Sequence, residues 1–366
     1  MNLCFAYPNK FRFSETFIHD QIEQLQPKIT IYEGWYPSLD KNDVSFLPFP
    51  FNILYVRGGL RNVLPSLYHK IYTFFLARYL TKNNIDVVLA QYGPMGATIN
   101  DACVKANVGL VVHFHGFDAN DKATLDKYLP AYQQMFKTVK GIIAVSRDMR
   151  NKLIEFGADP DKVIFNSCFV NTSLFTLGKP ENNDKIFMAV GRFTAKKSPF
   201  STIKAFHKVL QTVPDAKLKM IGEGELWDEA KALIKELGIE SQVELLGVKR
   251  PTEIIDLLKT ARVFVQHSMF APNGDSEGTP VSILEASAVG LPIVSTYHAG
   301  IKDAVVHEKT GFLVNEGDWE QMANYMTQLI NNPELCGEMG RSARQHMEDY
   351  YEMSKRVDTL REILEK

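Results

Sequence analysis

Short apolar runs alternate with longer amphipathic segments along most of this chain. Six runs of strand character fall at residues 87–90, 110–114, 141–145, 186–190, 216–221 and 263–265. Continuous apolar runs of this length, separated by helical segments, are typical of parallel strands that are covered on both faces. The pattern therefore predicts an α/β fold with doubly wound parallel sheets.

The chain has 366 residues, more than one hydrophobic core usually serves, so we expect two domains. The polar, turn-rich stretch 178–185 precedes a new apolar strand and predicts the boundary. The predicted domains are residues 1–178 and 179–347, followed by a charged helix over 348–366. The opening MNLCFAY predicts a first strand, because Lys10 and Arg12 follow too soon for a secretory signal.

Composition narrows the class of protein. The chain is 45% apolar and 23% charged with a net charge of −2, which excludes a disordered chain and argues against a general nucleic-acid binder. No stretch reaches 18 apolar residues, and the four cysteines lie far apart with no metal-ligand spacing. We therefore expect a cytoplasmic protein with free thiols and no metal site.

The stretch SEGTPVSILEASAVGLPIVST, residues 276–296, predicts a helix whose start binds an anion. Thr279 is a candidate helix cap, Pro280 suits the first turn, and Gly290 ends the helix before an apolar strand. Gly278 and Thr279 are small enough for a ligand to approach the backbone closely. The free N–H groups and the dipole of the helix start then favour an anion such as a diphosphate.

Two carboxylates flank the same helix start. Glu277 lies just before it and Glu285 lies about one and a half turns inside it. Carboxylates repel a diphosphate, but they accept hydrogen bonds from sugar hydroxyls. The two carboxylates therefore lie near the same anion site at different depths.

Two further loops follow apolar strands. In AVGRFTAKKSP, residues 189–199, Gly191 is followed by Arg192 and Lys197, two cations that can grip phosphates, whereas Lys196 is expected to be solvated. In GLVVHFHGFD, residues 109–118, a buried strand runs into HGFD. His115 is expected to hydrogen-bond a ligand at the strand end, Gly116 permits the turn, and Asp118 is a candidate to hold the loop. His113 is interpreted as structural.

These stretches together resemble the family 4, retaining, nucleotide-sugar-dependent glycosyltransferases of the GT-B fold. Glu277 and Glu285 match the family's E-x7-E signature, and Arg192 with Lys197 matches its V-G-R-x4-K pattern. HGFD resembles its H-G-x-D element. The SETFI stretch, with Ser14 and Glu15, is similar to a subset associated with exopolysaccharide synthesis.

The resemblance implies two Rossmann-like domains that face each other across a cleft, with a carboxyl-terminal helix that crosses back to the first domain. It implies that His115, Arg192, Lys197 and Glu277 serve catalysis, with Glu277 on the donor sugar and Glu285 on the ribose. The loops at 221–225, with Gly222 and Gly224, and at 245–251 match the nucleoside pocket. Ser14, Glu15 and Asp118 are candidates for an acceptor or phosphate loop, although ordinary helix capping explains Ser14 equally well.

The implied reaction is transfer of a sugar, with retention, from a nucleotide sugar to a saccharide or lipid-linked saccharide, with no metal and no separate cofactor. UDP is favoured over GDP. A nucleotide-sugar epimerase and a catalytically silent sugar-nucleotide-binding subunit remain as alternatives. Residues 51–84 mix aromatic and basic side chains and predict either peripheral membrane contact or an amphipathic helix packed within the first domain.

Overall fold

The structure is a computed structural model that describes residues 1–10, 16–49, 51 and 63–366. These residues group into two compact units, Met1–Asn166 with Val357–Lys366, and Ser167–Arg356. The sequence predicts domain boundaries after residues 178 and 347, whereas the boundaries between the two units lie after residues 166 and 356.

The first unit is built on a sheet whose strands are ordered β3-β2-β1-β4-β5-β6-β7. All neighbours are parallel except β2 and β3, which pair antiparallel. The strands are β1 Leu3–Ala6, β2 Ile29–Tyr32, β3 Leu39–Asp40, β4 Val87–Gln91, β5 Gly109–Phe114, β6 Gly141–Ala144 and β7 Val163–Phe165. The described helices are α1 Thr16–Leu25, α2 Pro65–Lys82, α3 Gly93–Ala106, α4 Phe117–Asn120, α5 Lys122–Thr138 and α6 Arg147–Glu155.

The second unit repeats this plan with a fully parallel sheet of order β10-β9-β8-β11-β12-β13. Its strands are β8 Ile186–Val190, β9 Lys217–Ile221, β10 Val243–Leu245, β11 Val263–Val265, β12 Ile293–Thr296 and β13 Gly311–Val314. Its helices are α7 Pro199–Leu210, α8 Trp227–Glu236, α9 Pro251–Thr260, α10 Val281–Ala288, α11 Ile301–Ala304, α12 Trp319–Ile330 and α13 Pro333–Tyr350. In both sheets the strand order reverses beside the first strand, so the doubly wound prediction is confirmed.

The apolar runs form these strands because both faces of each sheet are buried. In β4, for example, Val87, Val88, Leu89 and Ala90 are all 0% exposed. The stripe predicted for the first helix is also present, since Ile18 is 1% exposed and Ile22 and Leu25 pack on the same core cluster.

The carboxyl-terminal segment differs in detail from the single helix that was expected to start at Glu348. Helix α13 continues to Tyr350, and a new helix, α14 Met353–Glu365, follows. The break has a local cause, because Tyr351 O and Met353 N both hydrogen-bond the backbone of Val170. Beyond residue 356 the chain belongs to the first unit, where Leu360, Ile363 and Leu364 join the core cluster that contains Leu3 and Phe5.

Candidate functional site

The candidate binding residues of the second unit lie where the strand order of its sheet reverses. Strands β8 and β11 are neighbours in the sheet, yet the strand that follows β8 lies on one side of this pair and the strand that follows β11 lies on the other. Ligands of such sheets bind beyond the carboxyl ends of the strands at this crossover point. Gly191 and Arg192 follow β8, and Gln266 and His267 follow β11, so the sequence-predicted phosphate loop lies where the fold leaves room for a ligand.

Two glycines let neighbouring loops touch at this edge. Gly222 has a φ of +125°, and a Cβ at that position would lie 2.1 Å from the carbonyl oxygen of Gly191. At Gly224 a Cβ would lie 2.4 Å from the carbonyl oxygen of Phe193. Any side chain here would push the loops apart, so the backbone itself forms this part of the site.

Lys197 and Glu277 form a buried ion pair, with Lys197 Nζ 3.1 Å from Glu277 Oε1. Their side chains are only 16% and 7% exposed. Burial raises the pKa of Glu277, but the attraction of Lys197 and Lys196 is greater in sum, and the pKa ends below its ordinary value. Burial lowers the pKa of Lys197, and the opposing attraction of Glu277 is smaller. The pair places one cation and one carboxylate side by side beneath the ligand edge.

A polar relay holds this pair in place. Lys197 Nζ also donates to Gln266 Oε1 at 3.3 Å, and Gln266 Nε2 donates to the hydroxyl of Ser268 at 2.9 Å. Ser268 in turn donates to Glu277 Oε1 at 3.4 Å, and Ser282 donates to Gln266 Oε1 at 3.1 Å. Since each of these four side chains has a hydrogen-bond partner, their geometry is fixed before a ligand arrives.

The prediction that Lys196 is solvated is wrong. Its side chain is 12% exposed, its Nζ lies 3.0 Å from Asp275 Oδ2, and it donates to the carbonyl of Ser276 at 3.2 Å. Lys196 therefore anchors the loop before Glu277. Arg192, by contrast, is exposed, and it has no ion-pair partner among the described residues.

The helix that follows Glu277 starts one residue later than expected. Pro280 is its N-cap residue, and no side chain caps it. The predicted cap, Thr279, instead accepts a hydrogen bond from the backbone N–H of Cys168 at 3.2 Å, so that prediction is wrong. Gly278 and Pro280 are buried beside it, and Glu285 lies half-buried in the second turn.

The predicted end of this helix is confirmed. Gly290 has a φ of +83° and donates to the carbonyl of Ser287, while Leu291 donates to the carbonyl of Ala286. This is the Schellman arrangement, which glycine permits at little conformational cost.

In the first unit Asp118 organises the HGFD loop. It is 0% exposed and accepts hydrogen bonds from the backbone N–H groups of Gly93, His115 and Gly116 at 2.8–3.0 Å. Burial raises the pKa of Asp118 to about 6, against the opposing effect of these N–H donors. Asp118 therefore holds the loop from inside.

His115 lies half-buried at the end of β5. Its Nε2 is 2.6 Å from Gln91 Oε1, and its ring packs against Phe17 and Tyr92 with centroids 4.7 and 4.8 Å apart. Burial, followed by neighbouring His113, lowers the pKa of His115 well below its ordinary value, so the ring is neutral. His113 is 1% exposed, and burial lowers its pKa to about 3. Sequence reasoning missed Gln91, which is the last residue of an apolar strand.

Two predicted residues, Ser14 and Glu15, lie outside the described residues. Residues 52–62 of the predicted membrane stretch also lie outside them. The part of that stretch in α2 is packed, since Tyr68, Tyr72, Leu76, Ala77 and Leu80 are buried. Within the described ranges there is no cluster of three or more metal-ligating side chains, and no helix long and apolar enough to span a bilayer.

Two family profiles match consecutive parts of the sequence. Residues 15–174 match "Glycosyltransferase Family 4", and residues 174–346 match "Glycosyl transferases group 1". The amylovoran biosynthesis glycosyltransferase AmsK of Erwinia amylovora is 30% identical over 285 residues, which cover 77% of this chain and 70% of that protein. The putative colanic acid biosynthesis glycosyltransferase WcaL of Salmonella typhimurium is 30% identical over 65% of this chain, and the match spans 60% of its own length.

Solved structures agree on the fold. The complex of Anabaena HepE with UDP superposes with a TM-score of 0.77 at 16% identity and covers 100% of both chains. The apo form of the lipopolysaccharide outer core galactosyltransferase WaaB superposes with a TM-score of 0.74 at 17% identity and covers 99% of both. At this identity the likeness shows the architecture alone, two Rossmann-like domains of the GT-B type. Together with the matched profiles and relatives, it shows that the chain belongs to the family 4 glycosyltransferases.

Proposed function

We propose that this protein transfers a sugar from a nucleoside diphosphate sugar, UDP-linked rather than GDP-linked, to a saccharide or lipid-linked saccharide during polysaccharide or glycoconjugate synthesis. One observation carries the proposal. Where the strand order of the second sheet reverses, the exposed cation of Arg192 and the buried pair of Lys197 and Glu277 lie on the segments that follow the neighbouring strands β8 and β11. Cations bind phosphate, and a carboxylate in the same cluster accepts hydrogen bonds from sugar hydroxyls.

Each part of the nucleotide-sugar donor has proposed binding residues in this protein. Arg192, Lys197 and the start of α10 at Gly278, Thr279 and Pro280 bind the diphosphate, because the first N–H groups of a helix have no intrahelical acceptor. Backbone around Gly191, Gly222 and Gly224 approaches the nucleoside. Glu277 accepts from the donor sugar, and Glu285 from the ribose. Lys197 is already paired with Glu277, so exposed Arg192 supplies the unneutralised charge.

We propose transfer with retention at the anomeric carbon and without a metal ion. The glycosidic C–O bond to the diphosphate breaks, and the acceptor oxygen bonds to the same face of the sugar. The leaving phosphate oxygen takes the acceptor hydroxyl's proton. Arg192 and Lys197 stabilise the charge that develops on that phosphate. His115, neutral and held by Gln91, is the proposed hydrogen-bond partner of the donor sugar.

A lipid-linked acceptor is supported by the surface of the first unit. Phe49, Val63 and Leu64 are 76%, 75% and 50% exposed, and Leu67 on α2 is 47% exposed beside exposed Lys70. Apolar side chains with nearby lysines suit an anionic membrane surface. An E. coli relative, 26% identical over 79% of this chain, is named as a galactosyltransferase that acts on a diphosphoundecaprenol-linked sugar. Cosedimentation with phosphatidylglycerol vesicles, reduced in Leu67→Ser, tests this contact.

The primary test is nucleotide release from a panel of UDP- and GDP-sugars, with and without EDTA, for the wild-type protein and for Arg192→Ala and Glu285→Ala. Arg192 is exposed, so its removal tests phosphate binding without disturbing the core. Lys204→Ala, an exposed lysine on the adjoining helix α7, is the matched charge control. NMR of the product reports the anomeric configuration.

EDTA-resistant release from one donor, impaired in Arg192→Ala and Glu285→Ala but not in Lys204→Ala, supports the proposal. Interconversion of sugars without nucleotide release would show an epimerase instead. A donor that raises the melting temperature but never reacts with any acceptor would show a silent binding subunit. Inversion in the product, or activity that requires a metal, would overturn the corresponding part.

A further inference from the structure

His298 lies between a carboxylate and the backbone of the candidate donor loop. The residue follows β12 and is 1% exposed. Its Nδ1 is 2.6 Å from Glu316 Oε1, and its Nε2 is 3.2 Å from the backbone nitrogen of Glu277. One imidazole thus joins the loop after β13 to the residue whose carboxylate pairs with Lys197.

The two contacts fix where the ring proton resides. The backbone N–H of Glu277 can only donate, so Nε2 must offer a lone pair. The proton therefore sits on Nδ1, which donates it to the Glu316 carboxylate. A second proton on Nε2 would point at the N–H of Glu277 and break that contact. A carboxylate that accepts from one ring nitrogen commonly sets the tautomer of a histidine in this way.

The surrounding loops are built to hold the ring. Ala299, directly after His298, has a φ of +41°, a left-handed conformation that costs free energy in a residue with a Cβ. Glu316 Oε2 accepts a hydrogen bond from the backbone N–H of Phe270 at 3.0 Å. The rings of Phe270 and His298 pack in a T-shaped arrangement with their centroids 4.9 Å apart. Gly317 donates to Nε2 of His267 at 2.9 Å. Three loops therefore converge on this histidine.

We propose that His298 is a positioning residue for the nucleotide-sugar site. Its neutral ring, oriented by Glu316, fixes the backbone of Glu277 and so sets where the Glu277 carboxylate meets Lys197 and the donor. The proposal rests on the proposed function for its effect on the donor, but its effect on the loop stands independently.

Two amide substitutions separate the two contacts. In His298→Gln the side-chain amide reaches about as far as Nε2 and offers an oxygen to the Glu277 N–H. In His298→Asn the shorter amide reaches about as far as Nδ1, so it serves Glu316 but leaves the Glu277 N–H without an acceptor. Both remove the ring, so a role in packing alone predicts equal effects. We measure hydrogen exchange of the peptide that contains Glu277 without nucleotide, the Kd for UDP, and the KM and kcat for the donor.

The expected result is faster exchange at Glu277 and about tenfold weaker UDP binding in His298→Asn, with His298→Gln within about threefold of wild type, since one lost hydrogen bond to a buried N–H costs about a factor of ten. KM for the donor rises more than kcat falls.

Equal exchange and equal Kd in the two variants would overturn the proposal. Melting temperatures show whether each variant is folded, and exchange at peptides remote from residues 276–280 provides the internal reference. If the wild-type protein binds no nucleotide, the proposed function fails, while the exchange comparison still decides whether His298 fixes the loop.

Discussion

Removal of the Lys197 charge should destabilise the second unit by about 3 kcal/mol. At an effective dielectric constant of about 20, unit charges 3.1 Å apart attract by about 5 kcal/mol, and lost hydration cancels part of this. With Lys197→Met the Glu277 carboxylate stays 7% exposed and unpaired, a situation that costs about 3–5 kcal/mol. The double variant Lys197→Met with Glu277→Gln has no buried charge left, so most of the loss should be recovered.

The distribution of tryptophans allows the measurement in the full chain. Trp35 lies in the first unit, whereas Trp227 and Trp319 lie in the second. In a Trp35→Phe background, fluorescence during urea unfolding therefore reports the second unit alone. The four proteins of the cycle give the coupling free energy between Lys197 and Glu277, which we expect to be about 2 kcal/mol.

Lys196→Met is the control, because its partner Asp275 is 22% exposed and better hydrated. We expect a smaller loss there, near 1 kcal/mol, as is usual for partly exposed pairs. A coupling below about 0.5 kcal/mol for Lys197 and Glu277 would refute the reasoning, since it would mean that water screens the pair as it does at a surface.

Three further outcomes are expected. The pKa of Glu277 is lowered in the folded state, so its ion pair with Lys197 stabilises the fold above pH 4.5, the ordinary pKa of this carboxyl, and that stabilisation is lost as the pH falls further. Urea unfolding from pH 6 to 3 should therefore show a steeper fall in the free energy of unfolding for wild type than for Glu277→Gln. Gly222→Ala should abolish UDP binding measured by calorimetry, because its Cβ would lie 2.1 Å from the Gly191 oxygen, whereas Gly238→Ala, also at positive φ but with open space, should retain it. Asp118→Asn should lower the free energy of unfolding by about 2 kcal/mol, since its amide N–H₂ turns a donor toward a backbone N–H.

The sequence was sufficient for the sheets and for the position of the loop that follows β8. Apolar runs such as 186–190 become strands because burial on both faces demands continuous apolar residues, and loops after such strands must lie at one sheet edge. Gly191, Arg192 and Lys197 were found by that rule. The end of α10 at Gly290 followed from glycine's tolerance of positive φ.

Hydrogen-bond and ion-pair partners that are distant in sequence could not be predicted in the same way. Lys196 looks like a solvated cation in sequence, and only the fold brings Asp275, 79 residues later, to it. Thr279 precedes a proline as a helix cap would, yet its hydroxyl accepts a hydrogen bond from the backbone N–H of Cys168, 111 residues earlier in the chain. His298 follows a predicted strand, which is a signal of position, but its role depends on Glu316 and Glu277 meeting the same ring.

Because most of α14 belongs to the first unit, that unit can finish folding only after the second unit has been synthesised. A ribosome delivers Leu3 and Phe5 before the second unit, but Leu360, Ile363 and Leu364, which share their core cluster, arrive only after the whole second unit has been made. The core around β1 is therefore completed only after every residue of the second unit has been synthesised. During synthesis the first sheet carries an open apolar surface, and such surfaces are what chaperones bind.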